Sequence, residues 1–216
     1  KVDNLSFSYP NSDKLALDSV SLSIPESEFV VLCGKSGCGK STLLRHLKKS
    51  MNPYGNKFGS VCFDGEEIEE MNDRDAASKI GYVQQNPDNQ LVTDKVWHEL
   101  AFGLESLGYS NSVIKRRVAE MASYFGIQTW FRKSVSELSG GQKQLLNLAS
   151  VMAMQPEVLI LDEPASQLDP IAARDFLSTV HRLNRELGVT IVISEHRLEE
   201  IFPLADRAIV MDEGRI

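Results

Sequence analysis

Apolar side chains recur with two different periods along the chain, and the change of period predicts two kinds of structure. In the first part, apolar residues alternate with serines, which is typical of strands with one buried face. The alternating apolar positions are Leu5, Phe7, Tyr9, Val20, Leu22 and Ile24. Residues 61–63, followed by Asp64-Gly65 and Ile68, favour a β-hairpin. The N-terminal part is therefore predicted to contain antiparallel strands.

The remainder alternates continuous apolar runs with helical patterns. Residues 158–161 and 191–193 are apolar throughout, as expected of parallel strands buried on both faces. Helical periodicity covers residues 97–107, 112–125, 143–154 and 172–187. The pattern predicts an α/β core with an antiparallel β appendage and an inserted helical segment.

The helical insert has a well-marked beginning and end. Ser112 is predicted to cap a helix that stops before Gly126. Its apolar stripe consists of Ile114, Val118, Met121, Ala122 and Phe125. Trp97 and Trp130 also fall in the insert. We interpret them as core residues, and a groove for a partner helix is the alternative.

Composition narrows the class of protein. The 216 residues carry a net charge of −7, which argues against a nucleic-acid binder, and 42% are hydrophobic, enough for a sizeable core. Three cysteines without a C-x-x-C pair suit a reducing cytoplasm. His46, His98 and His181 lack metal-ligand spacing and are interpreted as surface or packing residues. Because the chain begins at Lys1 and stops at Ile216, we expect a trimmed chain or a piece of a longer polypeptide.

Residues 34–41 fit the phosphate-binding pattern G-x-x-x-x-G-K-[ST] and are called the P-loop below. A buried run at 29–32 precedes them and a helical pattern follows, so a glycine turn without a ligand is the weaker interpretation. Backbone N–H groups of such a loop can approach an anion, Lys40 can reach the β- and γ-phosphates, and Ser41 can ligate Mg²⁺. The candidate nucleotide-binding residues are Gly34, Ser36, Gly37, Cys38, Gly39, Lys40, Ser41 and Thr42.

The apolar run at 158–161 ends in two carboxylates. Asp162, at the carboxyl end of a predicted strand, suits a role near Mg²⁺. Glu163 is then placed to accept a proton from an attacking water. A plain strand leading into a polar turn is the alternative.

A second anion cradle is predicted at residues 138–142, called the signature turn below. Ser139, Gly140, Gly141 and Gln142 stand at the start of a helix, where a hydroxyl and free N–H groups meet the helix dipole. One γ-phosphate cannot occupy both cradles. The sequence therefore suggests that the signature turn of one chain covers the nucleotide of another.

These motifs together resemble the ATP-binding-cassette (ABC) ATPase family over essentially the whole chain. Residues 34–42 match its Walker A motif, 138–142 its LSGGQ signature and 159–163 its Walker B motif. Residues 166–169 match the D-loop, which ends at Asp169. The resemblance implies a P-loop NTPase fold with a RecA-like parallel sheet core and an antiparallel β subdomain in residues 1–85 and 136–216. It implies an inserted α-helical subdomain in residues 86–135.

The same resemblance implies roles for single residues. Glu163, the switch histidine His196 and the Q-loop glutamine Gln85 would be catalytic, and Tyr9 would stack on adenine. Mg²⁺ would be held by Ser41 and Gln85, and by Asp162 through water. Residues 139–142 would act in trans, with ATP as the substrate.

Smaller features resemble the energy-coupling-factor (ECF) importers, which take up vitamins and metal ions. These features are residues 85–90 and 101–105, while 202–207 is similar to ATPases assigned to hydroxymethylpyrimidine or thiamine uptake. Glu195 and Arg197 depart from the family's usual Thr and Asp beside the histidine. The resemblance implies a second ATPase domain, a transmembrane coupling subunit and a substrate-binding membrane subunit as partners. The chain would be peripheral, on the cytoplasmic face of the membrane.

Two other functions remain open at this point. A soluble ABC ATPase acting on DNA or ribosomes is disfavoured by the compact insert, although a tandem arrangement stays possible. A catalytically inactive regulatory cassette is disfavoured because Lys40, Glu163 and His196 are all present. For docking to a membrane subunit we expect a groove in the helical insert. Leu91, Val92, Val96 and Phe102 are candidates for its floor, and some of these four must be internal core.

Overall fold

Two sheets organise the molecule in the computed structural model, which describes residues 1–10, 12 and 14–216. The strands are β1 (Val2–Ser8), β2 (Leu17–Leu22), β3 (Phe29–Cys33), β4 (Asn56–Phe63), β5 (Glu66–Glu67), β6 (Ile80–Val83), β7 (Val158–Asp162), β8 (Thr190–Ser194) and β9 (Arg207–Val210). The antiparallel sheet has the order β2-β1-β4-β5, and the parallel sheet has the order β6-β7-β8-β3-β9. The predicted α/β class with an antiparallel β appendage is confirmed.

Helices lie on both faces of the parallel sheet and extend into the insert. They are α1 (Lys40–His46), α2 (Asp73–Lys79), α3 (Val96–Ser106), α4 (Asn111–Tyr124), α5 (Gly140–Ala153), α6 (Pro170–Leu187) and α7 (Leu198–Ile201). Short 3₁₀ turns occupy Lys49–Met51, Pro87–Asn89, Gln128–Trp130, Val135–Glu137 and Phe202–Leu204. Helices α3 and α4 pack on α5. Among the described residues, no helix combines the length and the apolar character that a bilayer crossing requires.

The parallel sheet is the central layer of the molecule. Along β3, Phe29 and Val31 face the apolar cluster beneath α3 to α6, whereas Val30 and Leu32 face the cluster shared by α1, α2 and the antiparallel sheet. Both faces are therefore withdrawn from water, which explains why the strand is apolar at every position rather than at every second one.

Three segments leave the parallel sheet at the same edge. Strand β8 lies between β7 and β3, and Ser194 at its end is in register with both Asp162 and Leu32. Because parallel strands share a direction, the P-loop after β3, Glu163 after β7 and Glu195 after β8 emerge side by side. The sheet order therefore assembles one site from segments that are distant in sequence.

Most predicted elements are present, with local differences. Asp64 and Gly65 both have positive φ, 48° and 85°, and form the turn of the β4–β5 hairpin. The helical stripe of α4 is buried as predicted, and Gly126, with φ 66°, follows its end. The predicted cap Ser112 is wrong, because the extended residue before α4 is Ser110 and Ser112 lies within the first turn.

Candidate functional site

The P-loop joins β3 to α1 in a conformation that requires glycine. Gly34 and Gly39 have φ values of 145° and 109°. A Cβ on Gly34 would collide with the carbonyl oxygen of Met211, and one on Gly39 would lie 2.5 Å from that of Ala16. Both glycines are therefore needed for the close backbone packing. Ser36 and Gly37 are exposed at the tip of the loop.

Lys40 lies buried beneath this loop. Its ammonium donates to the carbonyl oxygens of Gly34, at 2.8 Å, and Lys35, at 3.2 Å. The ammonium is thus held inside the loop by two neutral carbonyl oxygens. Negatively charged phosphate oxygens would bind it more strongly and could replace them. Cys38 and Thr42 are also buried.

Asp162 is the centre of a hydrogen-bond network at the end of β7. Its Oδ1 accepts from Ser41 Oγ and from Ser194 Oγ, each at 2.9 Å, and its Oδ2 accepts from the Tyr82 hydroxyl at 3.2 Å. Burial, together with the Asp162 carboxylate, raises the pKa of Tyr82, so the phenol remains a donor. The network fixes the carboxylate beside the first hydroxyl of α1.

Glu163 contacts both His196 and Gln85. Glu163 Oε1 lies 2.7 Å from His196 Nε2, and its Oε2 accepts from Gln85 Nε2 at 3.2 Å. The Glu163 backbone has φ 48°, an uncommon conformation for this residue, and its N–H donates to Ser194. His196 and Gln85 thus orient this carboxylate from two sides. The Glu163 side chain is 19% exposed, which places it at the rim of the site.

Tyr9 lies just beyond β1, beside the start of α1. Its hydroxyl is 3.1 Å from Thr42 Oγ1, and its ring meets Phe7 edge-on with centroids 4.9 Å apart. His46 also packs against Phe7, with ring centroids 4.6 Å apart. The aromatic predicted to stack on adenine is therefore supported from behind by a packed ring.

The signature turn forms a separate cradle. Ser139 caps α5 by accepting from Gln142 N–H at 3.3 Å, and Gln142 Oε1 accepts from Ser139 N–H at 3.0 Å. Ser139 and Gly140 are exposed. Across the described chain, no hydrogen bond joins this turn to residues 34–42. The structure thus does not bring the two predicted anion cradles together within one chain.

Asp169 begins α6. Its Oδ1 accepts from the N–H groups of Ile171 and Ala172, both at 3.0 Å. The residue therefore has a structural role as a helix cap, and the segment before it leads back to Glu163.

Three polar residues of the site were missed by sequence reasoning. Tyr82 and Ser194 bind Asp162, and Gln144 of α5 donates to the carbonyl oxygens of Gln84, at 3.1 Å, and Pro164, at 2.9 Å. A polar residue at the end of a buried strand was the available signal for Ser194. Nothing in the local pattern distinguishes Tyr82 or Gln144.

One interpretation of the helical insert is wrong, since Trp97 is 44% exposed on α3 rather than in the core. Among the four candidates for the groove floor, Val96 is buried and belongs to the internal core. Val92 and Phe102 are 62% and 43% exposed, and Leu91 is partly buried. The apolar surface of this region therefore consists of Val92, Trp97 and Phe102.

Comparisons with known proteins agree with this geometry. The family described as ABC transporter matches residues 17–166. A Bacillus thuringiensis protein named as an ABC transporter ATP-binding protein is 53% identical over the whole chain, which covers 39% of that protein. A Methanosarcina acetivorans protein of the same name is 43% identical, with 34% of its length covered. The chain thus spans about two fifths or less of these relatives.

Two solved structures align over the whole chain. One is cbiO1 from Clostridium perfringens, described as part of the ABC transporter complex cbiONQ, with 85% of it covered, 32% identity and a TM-score of 0.89. The other is the ATP-binding cassette MJ0796, dimeric and bound to ADP and Pi, with 95% of it covered, 25% identity and a TM-score of 0.84. The P-loop NTPase fold is thereby confirmed, and the chain belongs to the ABC transporter family as an ATP-binding cassette.

Proposed function

We propose that this cassette hydrolyses ATP to ADP and phosphate and that the reaction drives a membrane importer. The observation that carries the proposal is the contact of Glu163 with His196 and Gln85 beside the Asp162 network. A carboxylate held by two neighbours at the end of a P-loop sheet suits a base for an attacking water. The match to the ABC transporter family supports the same activity.

The P-loop would bind the phosphates of ATP. Its N–H groups and the start of α1 favour an anion, and the Lys40 ammonium would exchange the carbonyl oxygens of Gly34 and Lys35 for the β- and γ-phosphate oxygens. Tyr9 would contribute its exposed ring face to adenine. These interactions orient the γ-phosphate toward the carboxylate edge of the sheet.

The residues around Asp162 fit Mg²⁺. Ser41 Oγ and Asp162 Oδ1 are oxygen ligands of the hard type that Mg²⁺ prefers, and they lie 2.9 Å apart. Gln85 carries an amide oxygen on the neighbouring segment. The described residues contain no group of three His, Cys, Asp or Glu side chains suited to a metal. Mg²⁺ in nucleotide sites is commonly bound by one or two carboxylates with substrate phosphates. When bound, it neutralises charge on the phosphates.

Glu163 would take a proton from water while the water oxygen attacks the γ-phosphorus. The bond from that phosphorus to the β–γ bridging oxygen breaks, and ADP leaves. His196 and Gln85 hold the two carboxylate oxygens, so the base keeps one orientation. His196, at the exposed rim, would also contact the γ-phosphate.

The site would be completed by a second cassette. The exposed signature turn of one cassette would cover the γ-phosphate bound by the other, because within one chain the two cradles are separate. The dimeric MJ0796 cassette supports this arrangement. The three fifths of the Bacillus relative outside the match exceed the length of this chain, which leaves room for a second cassette in one polypeptide.

The helical insert, residues 86–135, would be the coupling subdomain. Gln85 opens it beside Glu163, and the signature turn follows it, so both ends lie at nucleotide-sensing positions. Its exposed Val92, Trp97 and Phe102 would receive a transmembrane coupling subunit. The similarity to cbiO1 supports an ECF-type importer, in which a substrate-binding membrane subunit selects a vitamin or metal ion. The cassette would then lie at the cytoplasmic face of the membrane.

Reconstituted transport tests this function. The full-length protein is purified with its membrane partners. Trp97→Glu and Phe102→Glu are compared with Tyr54→Glu, which changes an 88% exposed aromatic in the loop before β4. We expect the two α3 variants to lose transport while basal ATPase activity stays within about twofold, since both residues are outside the catalytic cluster. Full transport by both variants, or a full-length protein without membrane partners, would contradict the proposal.

A further inference from the structure

The residues on each side of His196 are both hydrogen-bonded to another segment of the site. They are Glu195 and Arg197, at positions where the resemblance to the ABC family implies Thr and Asp. Together with His196 they form the switch segment, residues 195–197. Their side chains reach residues 164–168, the link segment that connects Glu163 to Asp169.

Glu195 is a buried carboxylate, 2% exposed, that binds the link segment. Its Oε1 accepts from Ala165 N–H at 2.9 Å, and its Oε2 accepts from His196 N–H at 3.0 Å. One carboxylate thus joins the backbone of the switch segment to that of the link segment. A threonine at this position would be about two bonds shorter and has one oxygen, so it could not make both contacts.

Arg197 makes the second connection. This partly buried guanidinium donates from Nη2 to the carbonyl oxygen of Leu168 at 2.8 Å. An aspartate has no donor for a carbonyl oxygen when it is ionised. The connection therefore depends on the residue type that distinguishes this chain from the usual pattern.

The link segment is itself compact. Ser166 Oγ donates to the Glu163 carbonyl oxygen at 2.8 Å, and Leu168 N–H donates to the Ala165 carbonyl oxygen at 3.1 Å. The next residue, Asp169, caps α6. If the switch segment moved, the link segment would therefore move with it as one rigid turn and would displace the start of α6.

We propose that Glu195 and Arg197 are positioning residues that make the switch histidine and the D-loop move as one unit. His196 touches Glu163, while its two neighbours hold Ala165 and Leu168, so the histidine cannot shift toward a γ-phosphate without shifting the link segment. The two residues act through His196 and Asp169, not on ATP. This inference rests on the proposed ATPase function.

The test is steady-state ATP hydrolysis by the full-length protein carrying Arg197→Met. Methionine keeps most of the apolar stem and removes the donor. We expect kcat to fall about tenfold, the scale of one charge-assisted hydrogen bond, with KM changed less than about twofold. Arg197→Lys, which keeps a donor on a shorter stem, should retain at least about a third of the wild-type kcat.

Arg182→Met is the matched control. Arg182 also donates to a carbonyl oxygen, that of Tyr124 at 3.2 Å, but it lies in the last turns of α6, away from the site. We expect it to keep wild-type kcat and to lower the melting temperature about as much as Arg197→Met. A kcat of Arg197→Met within twofold of wild type, or equal losses in the Met and Lys variants, would overturn the proposal.

Glu163→Gln separates this inference from the function on which it rests. The positioning role alone is refuted if three results coincide: the wild type hydrolyses ATP, Glu163→Gln does not, and Arg197→Met is as active as the wild type. If wild type shows no hydrolysis above the Glu163→Gln background, the proposed ATPase function itself fails.

Discussion

Replacing Glu163 by glutamine tests the chemistry of the site with a minimal change of shape. The carboxylate accepts from Gln85 Nε2 at 3.2 Å and lies 2.7 Å from His196 Nε2. A glutamine can keep an oxygen toward Gln85 and turn its NH₂ toward an unprotonated His196 nitrogen. The site should therefore keep its geometry while losing the carboxylate that is proposed to accept a proton from water.

The expected magnitude follows from the loss of a general base. We predict that hydrolysis falls about 10²–10⁴-fold, equivalent to about 3–5 kcal/mol in the activation barrier, with ATP affinity within about threefold of wild type. Phosphate release at saturating ATP measures the first quantity, and equilibrium binding of a fluorescent ATP analogue measures the second. The trapped ATP should also favour a dimer in gel filtration.

Glu157→Gln provides the matched control. Glu157 lies just before the first residue of β7, at the opposite end of the strand from Glu163, and forms an exposed ion pair with Lys79 at 3.7 Å. The same chemical change there should leave turnover unaltered, since exposed pairs contribute little. Unchanged turnover in Glu163→Gln would move the base to another residue. Parallel loss of binding and hydrolysis would assign the carboxylate a structural role.

Two further predictions address the shared site and the fold. Lys40→Ala should abolish productive ATP binding, because it removes the ammonium that lies against the P-loop carbonyl oxygens. Mixing Lys40→Ala with Ser139→Arg cassettes, each inactive alone, should restore part of the activity with a steep dependence on concentration; full activity of a monomeric Ser139→Arg cassette would refute a shared site. Lys48 donates to the carbonyl oxygens of Ala76, Ala77 and Ile80 at the end of α2, and burial lowers its pKa to about 8. Since the unfolded chain then binds more protons between pH 8 and about 10.5, the free energy of unfolding should rise by at most about 3 kcal/mol across that window. Urea titrations should show no such rise in Lys48→Met, and equal pH dependence in both proteins would contradict the assignment.

Features encoded by neighbouring residues were predictable from the sequence. The glycines of the P-loop and the capping box at Ser139 act within a few residues, so their spacing alone indicates the local geometry. Apolar continuity at 158–161 correctly indicated a strand buried on both faces. The start of α4 was misassigned by two residues, because Ser110 and Ser112 are equivalent as caps until the backbone dihedrals are known.

Which side chains of the helical insert are exposed was less predictable from the sequence. Val96 and Trp97 are adjacent and both apolar, yet Val96 is buried and Trp97 is exposed. Which of them faces inward depends on the rotation of α3 against α5, and the apolar content of the segment does not specify that rotation.

By itself, the sequence determined the α/β class, the family and the residue types available for phosphate, metal and proton chemistry, because each motif is contiguous. Only the tertiary structure decided that Tyr82 and Ser194 join Asp162, and that Glu195 and Arg197 hold the link segment. These contacts follow from the order β6-β7-β8-β3 in the parallel sheet. Local periodicity encodes where strands occur, whereas their order depends on packing between segments that lie far apart in the chain.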